Sequence, residues 1–415
     1  MVKYFPKVLI VGHSFNENSG IGITLTNLFK DWAQENIAVA AFDIDINYCN
    51  RVRPCIKYFD FKLKNNKDIN SNIVSNNKRH HIAKFIRHFL KEKLGILDLI
   101  PEKRLTDDFL RFVDDYSPEV IYTALGNLKE LKFIIELIKL RKIPLIIHIM
   151  DDWPVTLYNK RYLKFYWEYI YNKNFRKILS ISSANLSICQ TMSDEYLERY
   201  GVNFMPFHNP VDPQLWESVP FNTNQKCKRV IYVGKINKDT EENLITMCKV
   251  VHKLILEGYN IKFEVYTPNY SGEKVKVFSK YKNCYVYNAI PQNEIPQLLR
   301  SASILFLTLG FDKHSLNYTR LSMPTKLTEY FISKVPILLY CPTEIALYKY
   351  CINNYCALWS NEGTNNLYTT LKSLITKPEL CKYISDNAYN LAVNKHSAII
   401  VRENFRKALL KAIDG

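Results

Sequence analysis

The chain has 415 residues, 47% of them hydrophobic, and a formal net charge of +16. Such a length suggests two or three domains, and the apolar fraction suits a globular protein with a full core. The charge favours an anionic partner (nucleic acid, acidic lipid or a phosphorylated substrate) and says nothing about fold. Ten cysteines are scattered without any C-x-x-C pair, which excludes zinc-ribbon and thioredoxin readings and leaves buried thiols in a reducing compartment. No apolar run approaches the ~20 residues that span a bilayer. The opening MVKYFPKVLIVG has too short an apolar core for a signal peptide, so a cytosolic protein is expected.

Residues 7–12 (KVLIVG) read as a buried strand ending in glycine. Ser19 then caps a helix that opens with Gly20 and Gly22 and carries Leu25, Leu28, Phe29 and Trp32 on one face. The two glycines allow close backbone approach, to a ligand or simply to the sheet. No G-x-G-x-x-G is present, so a dinucleotide site is unsupported. Residues 38–44 (AVAAFDI) form the next strand. A polar stretch follows, and then a basic amphipathic helix over 78–97, with Ile82, Phe85, Ile86, Phe89 and Leu90 in one stripe. It reads either as an ordinary surface helix or as an element for a membrane surface or an anionic acceptor. His80, His81 and His88 sit among its cations and read as solvated, not metal-ligating.

Residues 119–125 read as a strand, 128–140 as a helix, and 144–150 (PLIIHIM) as a strand that ends in Asp151, Asp152 and Trp153. Open α/β sheets place ligands at such strand ends. Periodicity alone makes His148 a core histidine and the aspartates loop or cap residues. Residues 159–178 read as an aromatic-rich helix, packed in the core with a basic outer face; no nucleic-acid motif accompanies it. A short strand over 186–189 and a helix over 193–200 precede a linker that runs to about 228. Residues 229–234 (RVIYVG) repeat the pattern of 7–12, as expected for two Rossmann-like halves. Asp239 and Glu242 make a capping-box pattern for the next helix, and 261–266 and 284–287 are strands.

The densest signal lies between 304 and 342. A strand (304–309) leads through a loop (310–323) to a helix starting at Pro324 and ending near Ser333, before another apolar run from Pro336. Helical spacing sets Thr325 beside Glu329, and Lys326 beside Glu329 and Tyr330. Helix-start amides with Lys326 suit phosphate, and Glu329 one turn later suits sugar hydroxyls. The plain alternative is a solvated ion pair.

This segment, PTKLTEYFISKVP, resembles the P-x-K-x-x-E-Y-x-x-S-G-K-P stretch of GT-B glycosyltransferases, especially the family-4-like retaining enzymes. The resemblance implies that Glu329 binds the ribose of a nucleotide-sugar donor and that Thr325 and Lys326 face its diphosphate. IIHIMDDWP is similar to the family's strand-end His/Asp segment, which implies that His148, Asp151 and Asp152 lie on the donor-sugar side of the cleft, with Trp153 as an apolar wall. The family's glycine loop falls on Gly20 and Gly22. Lys235 takes the place of a phosphate-binding arginine. Glu242 takes the place of a lysine, for which Lys238 would compensate. NAIPQNE resembles the loop whose backbone reads the base, at Ile290, and the stretch from Gly310 to Asn317 fills the place of donor sugar and phosphate contacts. NPVD (209–212) resembles the turn that ends the first domain, and the last helix is expected to cross back onto that domain. Two positions depart from the pattern. Leu321 stands where many relatives have a second glutamate near the sugar. Lys334 stands where glycine is usual, so a left-handed cap there would cost on the order of 1 kcal/mol.

The resulting expectation is an α/β protein with two Rossmann-like domains facing each other across a cleft. Residues 1–208 would bind the acceptor, with the helix 397–415 packed back on them, and 209–396 would bind the donor. The resemblance implies a retaining, metal-independent hexosyltransferase without cofactor. It would move a sugar from a UDP- or GDP-linked donor to a hydroxyl acceptor in bacterial surface-polysaccharide or glycan assembly. Were the course inverting, Asp151 or Asp152 would be the base. The basic stretch 78–97 points to a lipid-linked or other anionic acceptor, or to an anionic membrane on whose inner face a cytoplasmic protein would sit. Nucleic acid is not expected. A nucleotide-sugar 2-epimerase and a non-catalytic paralogue that binds glycans or a partner transferase stand as alternatives.

Overall fold

A computed structural model describes residues 3–42, 44–61, 104–159, 161–221 and 226–415. The basic stretch 78–97 and its three histidines lie outside the described residues. The chain divides into two compact units, one formed by Met1–His208 with Arg402–Gly415 and the other by Asn209–Val401.

The first unit is built on a seven-stranded sheet: β1 (Val8–Gly12), β2 (Ile37–Ala41), β3 (Lys57–Asp60), β4 (Val120–Ala124), β5 (Leu145–Ile149), β6 (Ala184–Ser187) and β7 (Met205–Pro206). Their order is β3-β2-β1-β4-β5-β6-β7 and every pair is parallel. β1, β2, β4 and β5 are buried along their whole length, as parallel strands covered on both faces must be. The second unit has a six-stranded parallel sheet of β8 (Lys228–Val233), β9 (Ile261–Thr267), β10 (Cys284–Asn288), β11 (Ile304–Thr308), β12 (Ile337–Tyr340) and β13 (Leu358–Ser360). Its order, β10-β9-β8-β11-β12-β13, repeats that of the first sheet. Both sheets are Rossmann-like, as expected. Strand order reverses between β1 and β4 in one unit and between β8 and β11 in the other, the switch points where open sheets leave a crevice.

Local chemistry sets the helix starts. Ser19 Oγ accepts from the Gly22 N–H at 3.1 Å and caps the helix Gly20–Leu28. The helix after β8 is capped differently from the expected Asp239 pattern: it starts at Lys238, and the Asn237 N–H donates to Thr240 Oγ1 at 2.8 Å. The stretch expected to be loop between β11 and Pro324 contains the helix Lys313–Thr319, whose first amides, at His314 and Ser315, are capped by Asp312. The next helix, Leu327–Ile332, starts later than Pro324. The Leu327 N–H donates to the Pro324 carbonyl at 3.0 Å, so Thr325 and Lys326 lie in the turn before the helix. Lys334 adopts φ +60, the left-handed conformation that its glycine-replacing position implies.

The helix Lys164–Leu179 corrects another expectation. Trp167, Tyr171, Phe175 and Ile178 recur at helical spacing and are buried, but Phe165, Tyr166 and Tyr169 point outward. Its aromatics are divided between core and surface, so the outer face is not merely basic.

The last helix, Ala398–Asp414, gives its residues from Arg402 onward to the first unit. There the Phe405 ring lies edge-on to Phe29 (5.1 Å between centroids), Trp32 (5.7 Å), Tyr122 (5.9 Å) and Phe207 (5.5 Å). Arg402 donates to the Asn27 carbonyl at 2.8 Å and pairs with Asp31 at 3.1 Å. A fully buried phenylalanine in such a cluster leaves a cavity when truncated. Phe405→Ala is therefore expected to cost the first unit about 3–5 kcal/mol in urea unfolding; a loss within error of zero would show that the terminal helix is only draped on it.

Candidate functional site

A cluster of polar groups in the second unit lies at the end of β8, beside its switch point. β11 pairs with β8 only at Val230 and Ile231, so the last residues of β8 lack a partner strand on that side. Side chains from the next segment complete the bonding: the Val233 N–H donates to Tyr330 Oη (3.1 Å), and Lys326 Nζ donates to the Val233 carbonyl (2.5 Å). Lys326 also lies over the Tyr232 ring, 4.1 Å from its centroid. Gly234 is required here. Its φ is +153, and a β-carbon would fall 2.7 Å from Lys326 Nζ and 3.1 Å from Tyr232 Oη. Asn269 pins the following loop, accepting from the Ile236 N–H (3.0 Å) and donating to the Ile236 carbonyl (2.7 Å).

Glu329 sits one residue before Tyr330, half-buried. Gln292 Nε2, from the loop after β10, donates to its Oε1 at 2.6 Å. Burial pushes the Glu329 carboxyl up to about 7, only partly opposed by the Gln292 bond and by Lys326. Burial likewise pulls the Lys326 ammonium down to about 7, against the attraction of Glu329. The pair is poised near neutrality and is not the solvated ion pair of a helix surface. Nothing in the spacing of Gln292 ties it to Glu329; its place in the NAIPQNE loop is the only signal in the sequence. Ile290, two residues earlier, is half-buried.

The other expected donor residues are placed as follows in the second unit. Lys235 and Lys238 are exposed cations just past β8. Thr325 does not offer a helix-start amide, since it precedes the helix, and its carbonyl accepts from Asn209 Nδ2 at 3.0 Å. Lys326 is spent on Val233, not extended towards solvent. Gly310 is buried just past β11, and Leu321 is buried, leaving no carboxylate at that position. Glu242 lines a separate pocket with Asp312 and Glu362, where three carboxylates would disfavour a diphosphate.

In the first unit, two residues expected to be catalytic lie in buried contacts. His148 is fully buried near the end of β5, its Nδ1 2.5 Å from Tyr122 Oη, and burial lowers its pKa to about 4. Its imidazole is therefore held neutral within the sheet. Asp152 is 1% exposed and accepts both nitrogens of the Arg199 fork (2.8 and 2.9 Å) and the Tyr196 hydroxyl (3.0 Å). Both of its oxygens are engaged in that network. Asp151 is half-buried, at the turn where its carbonyl accepts from the Trp153 N–H at 2.8 Å. Gly20 is exposed at the helix start, whereas Gly22 is buried against its own loop. A β-carbon at Gly22 would meet the Asn16 amide at 2.1 Å, so this glycine accommodates Asn16, which in turn accepts from the Ser19 N–H (2.8 Å).

Two Rossmann-like units of this strand order in one chain define a GT-B type of fold. Solved structures agree over nearly the full length. A glycosyltransferase of Rickettsia africae aligns with a TM-score of 0.64 at 10% identity, covering 98% of this chain and 99% of its own. HepE of Anabaena, solved with UDP and glucose, aligns with a TM-score of 0.62 at 12% identity, covering 98% and 99%. A putative UDP-N-acetylglucosamine 2-epimerase of Listeria monocytogenes gives 0.58 at 9% identity, covering 99% and 97%. At these identities the likeness is one of fold. No family model and no curated protein matches the sequence.

The structural role of Asp152 has a direct test. Arg199→Leu would strand a buried carboxylate, and unfolding stability should fall by about 3–5 kcal/mol. A stable variant with lost activity would instead return Asp152 to the catalytic list.

Proposed function

We propose that the protein transfers a sugar from a nucleotide-sugar donor, UDP- or GDP-linked, to a hydroxyl acceptor. The observation that carries this reading is the Glu329 carboxylate, held by Gln292 at the switch point of the second sheet, where β8 ends in Gly234 and two exposed lysines follow it in the chain. One carboxylate oxygen takes the Gln292 bond; the other is the acceptor for ribose hydroxyls. Lys235 and Lys238 meet the diphosphate and stabilise it as it leaves. Lys326 acts through Val233, by holding the strand end. The loop around Ile290 reads the base through its backbone. The second unit thus binds the donor and the first the acceptor. The course is retaining and metal-independent, with leaving oxygen and acceptor on one face of the sugar. The place of action is glycan or surface-polysaccharide assembly in the cytoplasm, with the stretch 78–97 meeting an anionic acceptor or the inner membrane face. HepE, solved with UDP and glucose, supports a nucleotide-sugar ligand for this fold.

The Listeria structure gives a second reading, epimerisation of the donor itself. Incubation with donor alone separates the two: an epimerase isomerises it, whereas a transferase needs an acceptor.

Thermal shift against a panel of nucleotide sugars tests the common premise. A donor at a hundred times its Kd should add about 2.7 kcal/mol of stability, and a panel without any shift would sink the proposal. Glu329→Ala should weaken the bound donor by about 1.5–3 kcal/mol.

The pH dependence follows from the raised carboxyl. Glu329 accepts from both ribose hydroxyls only when ionised, so donor affinity should fall as pH drops from 8 to 6 through its value of about 7. The Gln292 bond favours the ionised form, so Gln292→Leu should move that midpoint upward, and Glu329→Gln should flatten the profile. Calorimetric titration across this range reads both; an unchanged midpoint in Gln292→Leu would detach Gln292 from the site.

A further inference from the structure

The outward face of the helix Lys164–Leu179, with the turn before it, is built unlike any ordinary solvated face. Phe165 is 83% exposed, Leu163 66% and Tyr169 65%, and Tyr166 lies beside them half-exposed. Folding does not require this. The opposite face already supplies the core with Trp167, Tyr171 and Phe175. Leu163 holds φ +58, a conformation that glycine or asparagine would adopt with less strain, yet it presents a large aliphatic side chain to solvent. An exposed apolar cluster of this size marks a contact surface.

The same stripe changes chemistry along its length. Past Tyr169 it continues with Lys173, Arg176 and Lys177, all exposed. Lys139, at the end of the helix Leu128–Leu140, faces Lys177; together with Lys173 it crowds that ammonium and lowers its pKa. Arg176 lies over Tyr200, 5.0 Å from the ring centroid, and donates to the Arg199 carbonyl at 2.9 Å, leaving its charge at the surface. Glu168 is the acidic residue of this helix, and Lys164 neutralises it at 3.4 Å. Aromatic and aliphatic side chains flanked by uncompensated cations are what an interfacial element needs: rings for the acyl boundary and ammonium groups for acidic headgroups.

We propose that this face, Leu163 to Tyr169 with Lys139, Lys173 and Lys177, docks on an anionic lipid bilayer. Charge complementarity selects the occupant. A second copy would set this cation cluster against a chain of net charge +16, whereas an acidic bilayer neutralises it. The proposal uses none of residues 78–97 and does not depend on the transferase reading.

The test uses the full chain and vesicles of phosphatidylcholine with or without phosphatidylglycerol. The wild type should co-sediment with the anionic vesicles only. Phe165→Ser with Tyr169→Ser should lower the bound-to-free ratio by roughly tenfold or more, and Lys173→Glu with Lys177→Glu should abolish the anionic preference. All four side chains are exposed, so the melting temperature should not change. The Phe165→Trp variant reads insertion itself: its emission should shift to the blue on vesicles and be quenched by brominated acyl chains, beyond any change in the wild type. Vesicle binding that survives both double variants, or a Phe165→Trp emission indifferent to lipid, overturns the proposal. So does self-association abolished by the serine substitutions, or an oligonucleotide bound through the same residues more tightly than vesicles.

Discussion

The backbone of one residue at the end of β8, Val233, carries the candidate site. β11 leaves β8 after Ile231, and on that side Val233 must find partners elsewhere, because an unpaired buried peptide is costly. Tyr330 and Lys326 supply them. Both belong to the segment that enters the helix Leu327–Ile332, so completing the strand also fixes where that helix begins. Glu329 is placed between those two anchors. The bare α-carbon of Gly234 follows from the same contact, since the lysine head occupies the space of a side chain. The carboxylate is thus positioned by backbone bonding that the sheet needs anyway.

Much of the architecture was legible from the chain. The apolar runs gave the main strands, and the repeated strand-and-glycine pattern matched β1 and β8, the equivalent strands of two sheets with one order. Glu329 was legible too, because its local segment carries its own spacing signal. What escaped was tertiary partnership. His148 and Asp152 look alike in a strand-end motif, but their fates are set by Tyr122 and by Arg199 with Tyr196, none of them close in sequence. Gln292 reaches Glu329 across a comparable gap. The helix Lys313–Thr319 was missed for a different reason: it is short and largely polar, and its main signal is the Asp312 cap.

Composition also failed where period decided. The run YLKFYWEYIYNKNF holds enough aromatics for a core helix, and a core helix does form. Its spacing nonetheless sends Trp167, Tyr171 and Phe175 inward and Phe165 and Tyr169 outward. The glycine loop shows the same limit: Gly22 looks like a ligand-approach residue in sequence, while its α-carbon is covered by Asn16.

The first unit is assembled from both ends of the chain, and this orders events during synthesis. Asn209–Val401 is continuous and can fold once it has left the ribosome. The aromatic cluster of Phe29, Trp32 and Tyr122 must wait for Phe405, which is made only after Asn209–Val401. Throughout translation of the second unit the nascent first unit carries an unfilled apolar seat. The helix Ala398–Asp414 therefore couples the two units in time: the first is closed only after the whole of the second has been made.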